Sequence, residues 1–177
     1  MSWGRKSIAG VDYDLSHLDS FVIRVQPAAE GARALRVLVT FSHHVFTREL
    51  QEGDDQEAVC GPSTDLRSFC PDRFELSLRL PAILEEAGRR KVHFPAPNYA
   101  RQRNFLLVEV EASGLPYLIA FNLEPAKKAD VEAVMFVVSA HARPKLPPRS
   151  RMDTIRFATL VAKVVRGEEI RRPPKKR

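Results

Sequence analysis

Two adjacent histidines, His43 and His44, follow an apolar run in the segment TFSHHVFTRE, residues 40–49. A neutral imidazole is a good general base near pH 7, and it can remove the proton of a ribose 2′-hydroxyl. Neighbouring side chains of an extended chain point to opposite faces, so we expect only one of the two to face a given pocket. The alternative is that one histidine is exposed and the other caps the strand.

A basic segment, residues 89–103, could perform chemistry of a second kind. Cationic side chains beside an aromatic ring hold phosphates, stack on a base, and stabilise the charge that develops on a phosphate during metal-free RNA cleavage. Tyr99 is the candidate for stacking or proton transfer. The candidates for phosphate binding are Arg89, Arg90, Lys91, Arg101 and Arg103. The alternative is a solvated basic loop after a helix.

A third group lies in SAHARPK, residues 139–145, directly after the last predicted strand. His141 and Arg143 would emerge at the edge of the sheet, where His141 could take part in catalysis and Arg143 could bind phosphate. The alternative is a set of exposed polar residues at the end of a strand.

Metal binding is a further alternative, because His43 or His44, Cys60, Cys70 and His93 have side chains that suit zinc. Their spacing matches no compact zinc finger, so we predict no metal ligands. The sequence also lacks a glycine-rich phosphate loop, a nucleophile elbow and paired metal carboxylates, and we therefore expect no cofactor.

The composition is that of a globular protein, with 177 residues, 44% of them apolar and 28% charged. Two cysteines are too few for a disulfide scaffold and suggest free thiols. No apolar run reaches the roughly 20 residues that cross a bilayer, and the N-terminus lacks the apolar core of a signal peptide. We therefore expect a cytoplasmic bacterial protein that does not contact a membrane.

The positive charge is concentrated at the C-terminal end. Residues 143–177 hold 12 Lys+Arg against 3 Asp+Glu, whereas the rest of the chain holds 16 against 19. A basic tail attracts RNA or another polyanion through phosphate contacts and counterion release. The alternative is a solvated tail that aids solubility. We expect a single domain over residues 1–167 and a basic, disordered tail over residues 168–177.

Periodicity predicts an α+β fold, in which an antiparallel sheet of about five to six strands has helices packed on one face. The predicted strands cover residues 20–27, 34–41, 91–94, 104–112, 116–124 and 132–140. The predicted helices are two short ones, about 71–78 and 81–87, and a C-terminal one with Asp153 as its N-cap and Gly167 as its stop. Residues 48–70 show no period and predict a long exposed loop.

Several segments resemble a group of small bacterial and prophage-borne proteins with no established activity. They are FSHHVFT, DRFELSLRLP, NYARQRNFLLVEV, VMFVVSAHARP and IRFATLVAKVVRGE. More weakly, SAHAR at residues 139–143 resembles the RelE/BrnT-type ribonuclease toxins. That resemblance implies a metal-independent endoribonuclease that uses Arg, Lys, His or Tyr side chains on a sheet and at its edges.

Three functions follow as hypotheses. The leading one is an RNA-binding protein that cleaves RNA without metal, in a toxin-antitoxin or phage-related system with a protein partner such as an antitoxin. The second is a non-catalytic regulator or inhibitor that docks on a nucleic acid or a protein. The third is a zinc-stabilised domain.

Overall fold

The computed structural model describes residues 2–94, 105–110, 114–127, 130–144 and 153–171. Within these ranges the chain forms twelve strands and three α-helices. The strands are β1 (Arg5–Ile8), β2 (Val11–Asp14), β3 (Phe21–Val25), β4 (Leu35–Phe41), β5 (Thr47–Glu49), β6 (Val59–Cys60), β7 (Arg67–Phe69), β8 (Lys91–His93), β9 (Phe105–Val110), β10 (Pro116–Pro125), β11 (Ala133–Ala142) and β12 (Thr154–Arg156). The helices are α1 (Pro71–Ser77), α2 (Leu80–Glu85) and α3 (Phe157–Val165).

The largest sheet has seven strands in the order β12-β8-β9-β10-β11-β4-β3. Its neighbouring strands are antiparallel except for β4 and β11, which run parallel. The predicted sheet of five to six antiparallel strands is therefore wrong in strand number and at this pair. Both β4-β11 and β8-β12 join strands that are distant along the chain, so no short turn fixes their relative direction.

One face of this sheet carries the core. Along β4 the side chains at both ends and at every second position are buried, which is the period of a strand with one covered face. Helix α3 packs on this face, where the ring of Phe157 meets the ring of Phe121 edge-on with 5.8 Å between centroids. Since these buried rings and aliphatic groups are removed from water, they stabilise the fold by about 2 kcal/mol each.

Two smaller sheets complete the fold. One is the hairpin β1-β2, and the other has three strands in the order β5-β7-β6. Both gather around Phe69, whose ring centroid lies 4.4 Å from that of Tyr13 and 6.4 Å from that of Phe46. The predicted long exposed loop over residues 48–70 is interrupted, because β6 and β7 lie in it and Phe69 is buried, although residues 50–58 are mostly exposed. Strands this short are too brief to show a period.

The helices agree with the predictions except at the start of α3. Both short helices have a proline in the first turn, where the missing N–H group costs nothing. Helix α3 begins at Phe157, and Asp153 is not its N-cap, because residues 154–156 pair with β8 as β12. None of the described helices has the length and apolar character needed to cross a membrane.

A β-bulge changes the direction of side chains near the end of β11. Phe121 pairs with Val137, but Ala120 pairs with Ser139, so Val138 is an extra residue. The pairing with β4 also ends at Val137. An extra residue reverses the alternation beyond it, and bulges of this kind re-aim side chains next to functional sites.

Candidate histidine–arginine site

The end of β4 places His43 and His44 side by side. The backbone N–H of Ser42 donates to the Val137 carbonyl at 2.9 Å, and the Ser42 hydroxyl accepts from the His44 N–H at 3.2 Å. This cap starts a 3₁₀ turn, residues 43–45, in which successive side chains are about 120° apart rather than 180°. The two ring centroids are therefore only 4.7 Å apart, and the prediction that one pocket receives only one ring is wrong.

Asp65 joins the two imidazoles. Nε2 of His44 donates to Asp65 Oδ2 at 2.6 Å, and Nε2 of His43 donates to the Asp65 carbonyl at 3.1 Å. The bond from His44 lowers the pKa of Asp65, which is therefore ionised at neutral pH. Burial lowers the pKa of His43, so its ring is neutral at pH 7. The three residues form one acid–base group, called here the histidine triad (His43, His44 and Asp65).

Gly61 allows this close approach. Its φ is +109°, and a Cβ at this position would lie 2.6 Å from the Asp65 carbonyl oxygen and 2.8 Å from Nε2 of His43. Both contacts are shorter than atoms tolerate, and the carbonyl belongs to the backbone, which cannot swing away. Glycine is thus required for the triad to close.

Two arginines hold the backbone and the charge around the triad. Nη1 of Arg67 lies 3.9 Å from Asp65 Oδ1, and its Nε donates to the Thr47 hydroxyl at 3.1 Å. Nη1 of Arg73 donates to the carbonyls of His44 at 3.2 Å and Thr47 at 2.5 Å. Burial lowers the pKa of Arg73. The two guanidinium groups therefore bring positive charge to the triad from β7 and from α1.

His141 and Arg143, at the end of β11, lie close enough to Arg73 for its charge to act on both. Nε of Arg143 donates to Nε2 of His141 at 2.7 Å. Burial, together with the charges of Arg73 and Arg143, lowers the pKa of His141 to about 4. A neutral ring that accepts at Nε2 carries its proton on Nδ1. That buried nitrogen has no hydrogen-bond partner among the residues that the structure describes.

The basic candidates of residues 89–91 are not beside the triad. Arg89 follows Gly88, whose Cβ position lies 3.8 Å from Val25 Cα, and Val25 pairs with Leu35 at the start of β4. His43 follows the other end of β4, so the length of this strand, about 20 Å, separates the two places. Arg90 and Lys91 lie near the start of α3 and along β12. Tyr99, Arg101 and Arg103 lie outside the described residues.

The triad is also the group that offers metal ligands. One donor atom from each of its three residues lies within 4.8 Å of the others. Among the described residues, Cys60, Cys70 and His93 are not part of such a group, so the zinc set suggested by the sequence is not assembled. Burial raises the pKa of the Cys60 thiol, which disfavours its thiolate form. Asp65 was missed because it lies in the segment predicted to be a loop.

One comparison with known proteins identifies the chain's relatives. The model of the YjaZ family matches residues 5–165, which is most of the chain. The chain belongs to the YjaZ family. No curated protein and no solved structure matches it. Membership of the YjaZ family agrees with the resemblance to a group of small bacterial proteins, and nothing supports the resemblance to RelE/BrnT-type toxins. The matched region includes the triad, Arg67, Arg73 and the end of β11.

Proposed function

We propose that the protein binds RNA at the histidine–arginine site and cleaves it without a metal, as a component of a toxin-antitoxin or phage-related system. The observation that carries this proposal is the convergence of two imidazoles on one ionised carboxylate, with ring centroids 4.7 Å apart. Two neighbouring imidazoles can supply the general base and the general acid that cleavage of a phosphodiester needs.

The charge of the site supports a phosphate as its ligand. Arg67 and Arg73 contact the triad or its backbone, and Arg143 holds His141 nearby. These three cations outnumber the negative charges of Asp65 and of Glu49, which acts on Arg73, and a positive, half-buried surface attracts an anion.

The proposed reaction uses the two histidines in different roles. Nε2 of each ring faces Asp65, so proton transfer with the substrate falls to Nδ1. Neutral His43 takes the proton of the ribose 2′-hydroxyl, and the 2′-oxygen attacks phosphorus. The bond from phosphorus to the 5′-oxygen breaks, leaving a 2′,3′-cyclic phosphate, and protonated His44 donates a proton to the departing oxygen. Asp65 stabilises that imidazolium, and the arginines stabilise the charge on the phosphate.

Cleavage of a labelled RNA oligonucleotide in the presence of EDTA tests the proposal. We expect the wild type to release products that end in a 2′,3′-cyclic phosphate. His43→Asn and His44→Asn should each reduce the rate by about 100-fold, since each variant removes one proton-transfer group. His93→Asn is the matched control, because His93 lies on β8, away from β4 and β11 in the sheet.

Two results would contradict the proposal. The first is an absence of cleavage by folded wild-type protein in EDTA, and the second is cleavage that both triad variants retain. Binding of the oligonucleotide without cleavage would favour the non-catalytic regulator, for which the site is a contact surface only. Circular dichroism of each variant separates a lost reaction from a lost fold.

A further inference from the structure

The histidine triad has a second chemical capability that does not depend on RNA cleavage. We propose that it binds one Zn²⁺ ion through Nε2 of His43, Nε2 of His44 and a carboxylate oxygen of Asp65. Imidazole nitrogen and carboxylate oxygen are both common zinc ligands, and three protein ligands leave a fourth position for water or a substrate atom. Zinc in this place would replace the hydrogen bond between His44 and Asp65.

The two distances from the histidine nitrogens to Asp65 are close to those of a zinc site, and the three donor atoms all lie within 4.8 Å of one another. Zinc lies about 2.0–2.1 Å from each ligand, so two ligands of a tetrahedral site are about 3.3 Å apart. Nε2 of His43 is already 3.5 Å from Asp65 Oδ2. Nε2 of His44 is 2.6 Å from the same oxygen and needs to retreat by about 0.7 Å, which a small side-chain rotation provides.

The ligands are held in place before any ion arrives. The Ser42 cap fixes the 3₁₀ turn that carries both histidines, and the absence of a Cβ at Gly61 allows the Asp65 backbone to lie against His43. His43 and His44 are mostly buried, with 13% and 26% of their side chains exposed, whereas Asp65 is 42% exposed. An ion can therefore reach the triad from the side of Asp65 while both rings stay oriented.

Binding zinc changes what the triad can do. Each Nε2 now carries the proton that it donates to Asp65, and zinc takes the place of these two protons. A neutral ring that coordinates through Nε2 must carry its one proton on Nδ1, so each ring changes tautomer when zinc binds. Because the acid–base role needs Nδ1 and the ionised Asp65 free, the zinc-loaded triad and the acid–base triad exclude each other.

Arg67 opposes the cation and provides a sharp test. Its Nη1 lies 3.9 Å from Asp65 Oδ1, so a bound zinc ion would be close to a positive charge. Arg67→Gln removes this repulsion and should tighten zinc binding, whereas Arg67→Lys keeps the charge and should not. If the triad instead bound an anion, Arg67→Gln would weaken the binding, because the anion would lose an attractive positive charge.

The experiment titrates Zn²⁺ into chelator-treated, RNA-free protein by calorimetry, and Co²⁺ into the same protein by visible absorption. We expect one ion per chain and a tetrahedral Co²⁺ spectrum without sulfur charge-transfer bands. His43→Asn and Asp65→Asn should each weaken zinc binding at least tenfold. The double variant Cys60→Ser/Cys70→Ser should bind as tightly as the wild type, since neither thiol belongs to the triad.

Several outcomes would overturn the zinc site. They are an absence of binding by folded wild type, undiminished binding by Asp65→Asn, loss of binding in the cysteine double variant, and weaker rather than tighter binding by Arg67→Gln. The last comparison is informative even if a triad variant fails to fold. RNA is absent throughout, so failure here is independent of failure of the proposed cleavage, and the reverse also holds.

Discussion

At the scale of single residues, the triad depends on a position with no side chain. Gly61 has φ +109°, and an added Cβ would meet the Asp65 carbonyl at 2.6 Å and His43 Nε2 at 2.8 Å. Gly61→Ala should therefore lower the free energy of unfolding by about 3 kcal/mol, from backbone strain together with overpacking. Urea unfolding of both proteins measures this difference.

A matched glycine separates the two causes. Gly53 has φ +87°, but nothing lies within 4 Å of its Cβ position. Gly53→Ala should therefore cost about 1 kcal/mol, from backbone strain alone. Equal losses for the two variants would show that the contact of Gly61 with the triad has no energetic consequence.

His141 makes stability depend on pH. Its pKa is lowered to about 4 in the folded protein, against an ordinary value of 6.5, so the unfolded chain binds a proton more readily. Its contribution is therefore complete above pH 6.5 and is lost as the pH falls from 6.5 towards 4. Between pH 7 and pH 5 we expect the wild type to lose about 1 kcal/mol more than His141→Asn, after allowance for screening by water.

Urea unfolding of both proteins at pH 7 and pH 5 measures this difference. The comparison cancels the carboxylates that the two proteins share, because their titration contributes equally to both. An equal loss in wild type and variant would contradict a neutral, half-buried His141.

At the scale of elements, the sequence predicted the long strands and the proline-started helices. The alternation along β4 and the prolines of α1 and α2 are local signals, and the structure confirms these elements. β6 has two residues and β7 has three, which is too few to show the alternation of a strand. The segment that carries Asp65 was therefore predicted to be a loop. The histidine pair was visible, but the 3₁₀ turn that brings the two rings together was not.

Aromatic contacts join the β1-β2 hairpin to β7 and to α1. Tyr13 on β2 contacts both Phe69 and Phe74, at 4.4 Å and 5.1 Å between ring centroids. Tyr13→Ala should lower the free energy of unfolding by about 2 kcal/mol, because it removes a ring from this cluster. Val11→Ala, in the same strand at a side chain that is 52% exposed, should cost less than about 0.5 kcal/mol.

Chemical unfolding of the two variants measures both values, and hydrogen exchange of β7 reports whether the loss is local. Faster exchange in β7 than in β4 is expected for Tyr13→Ala, since the ring packs on Phe69 of β7. A loss as small as that of Val11→Ala would show that the hairpin is not needed to hold β7.

At the scale of the whole molecule, the site lies where the seven-stranded sheet, the three-stranded sheet and α1 meet. The pairing of β4 with β11 ends at Phe41 and Val137, and β11 continues beside β10 alone. The three-stranded sheet brings Asp65 and Arg67 to this end, and α1 brings Arg73. No local pattern encodes such a meeting, which depends on a parallel pair between distant strands. For this reason the sequence analysis predicted His141 and the histidine pair as site residues, but it also predicted Arg89, which lies near the other end of β4.

Variants of the basic C-terminal end test the proposed RNA binding separately from the proposed catalysis. Residues 172–177 carry four positive charges and no negative charge. Changing Arg172, Lys175, Lys176 and Arg177 to Gln should lower affinity for single-stranded RNA at low salt, and it should reduce the slope of log K against log salt by up to about 2.8. Cleavage at saturating RNA should be unchanged, because the proposed acid and base lie in the triad. Filter binding at several salt concentrations, with single-turnover cleavage, measures both, and an unchanged slope would contradict a tail that contacts phosphate.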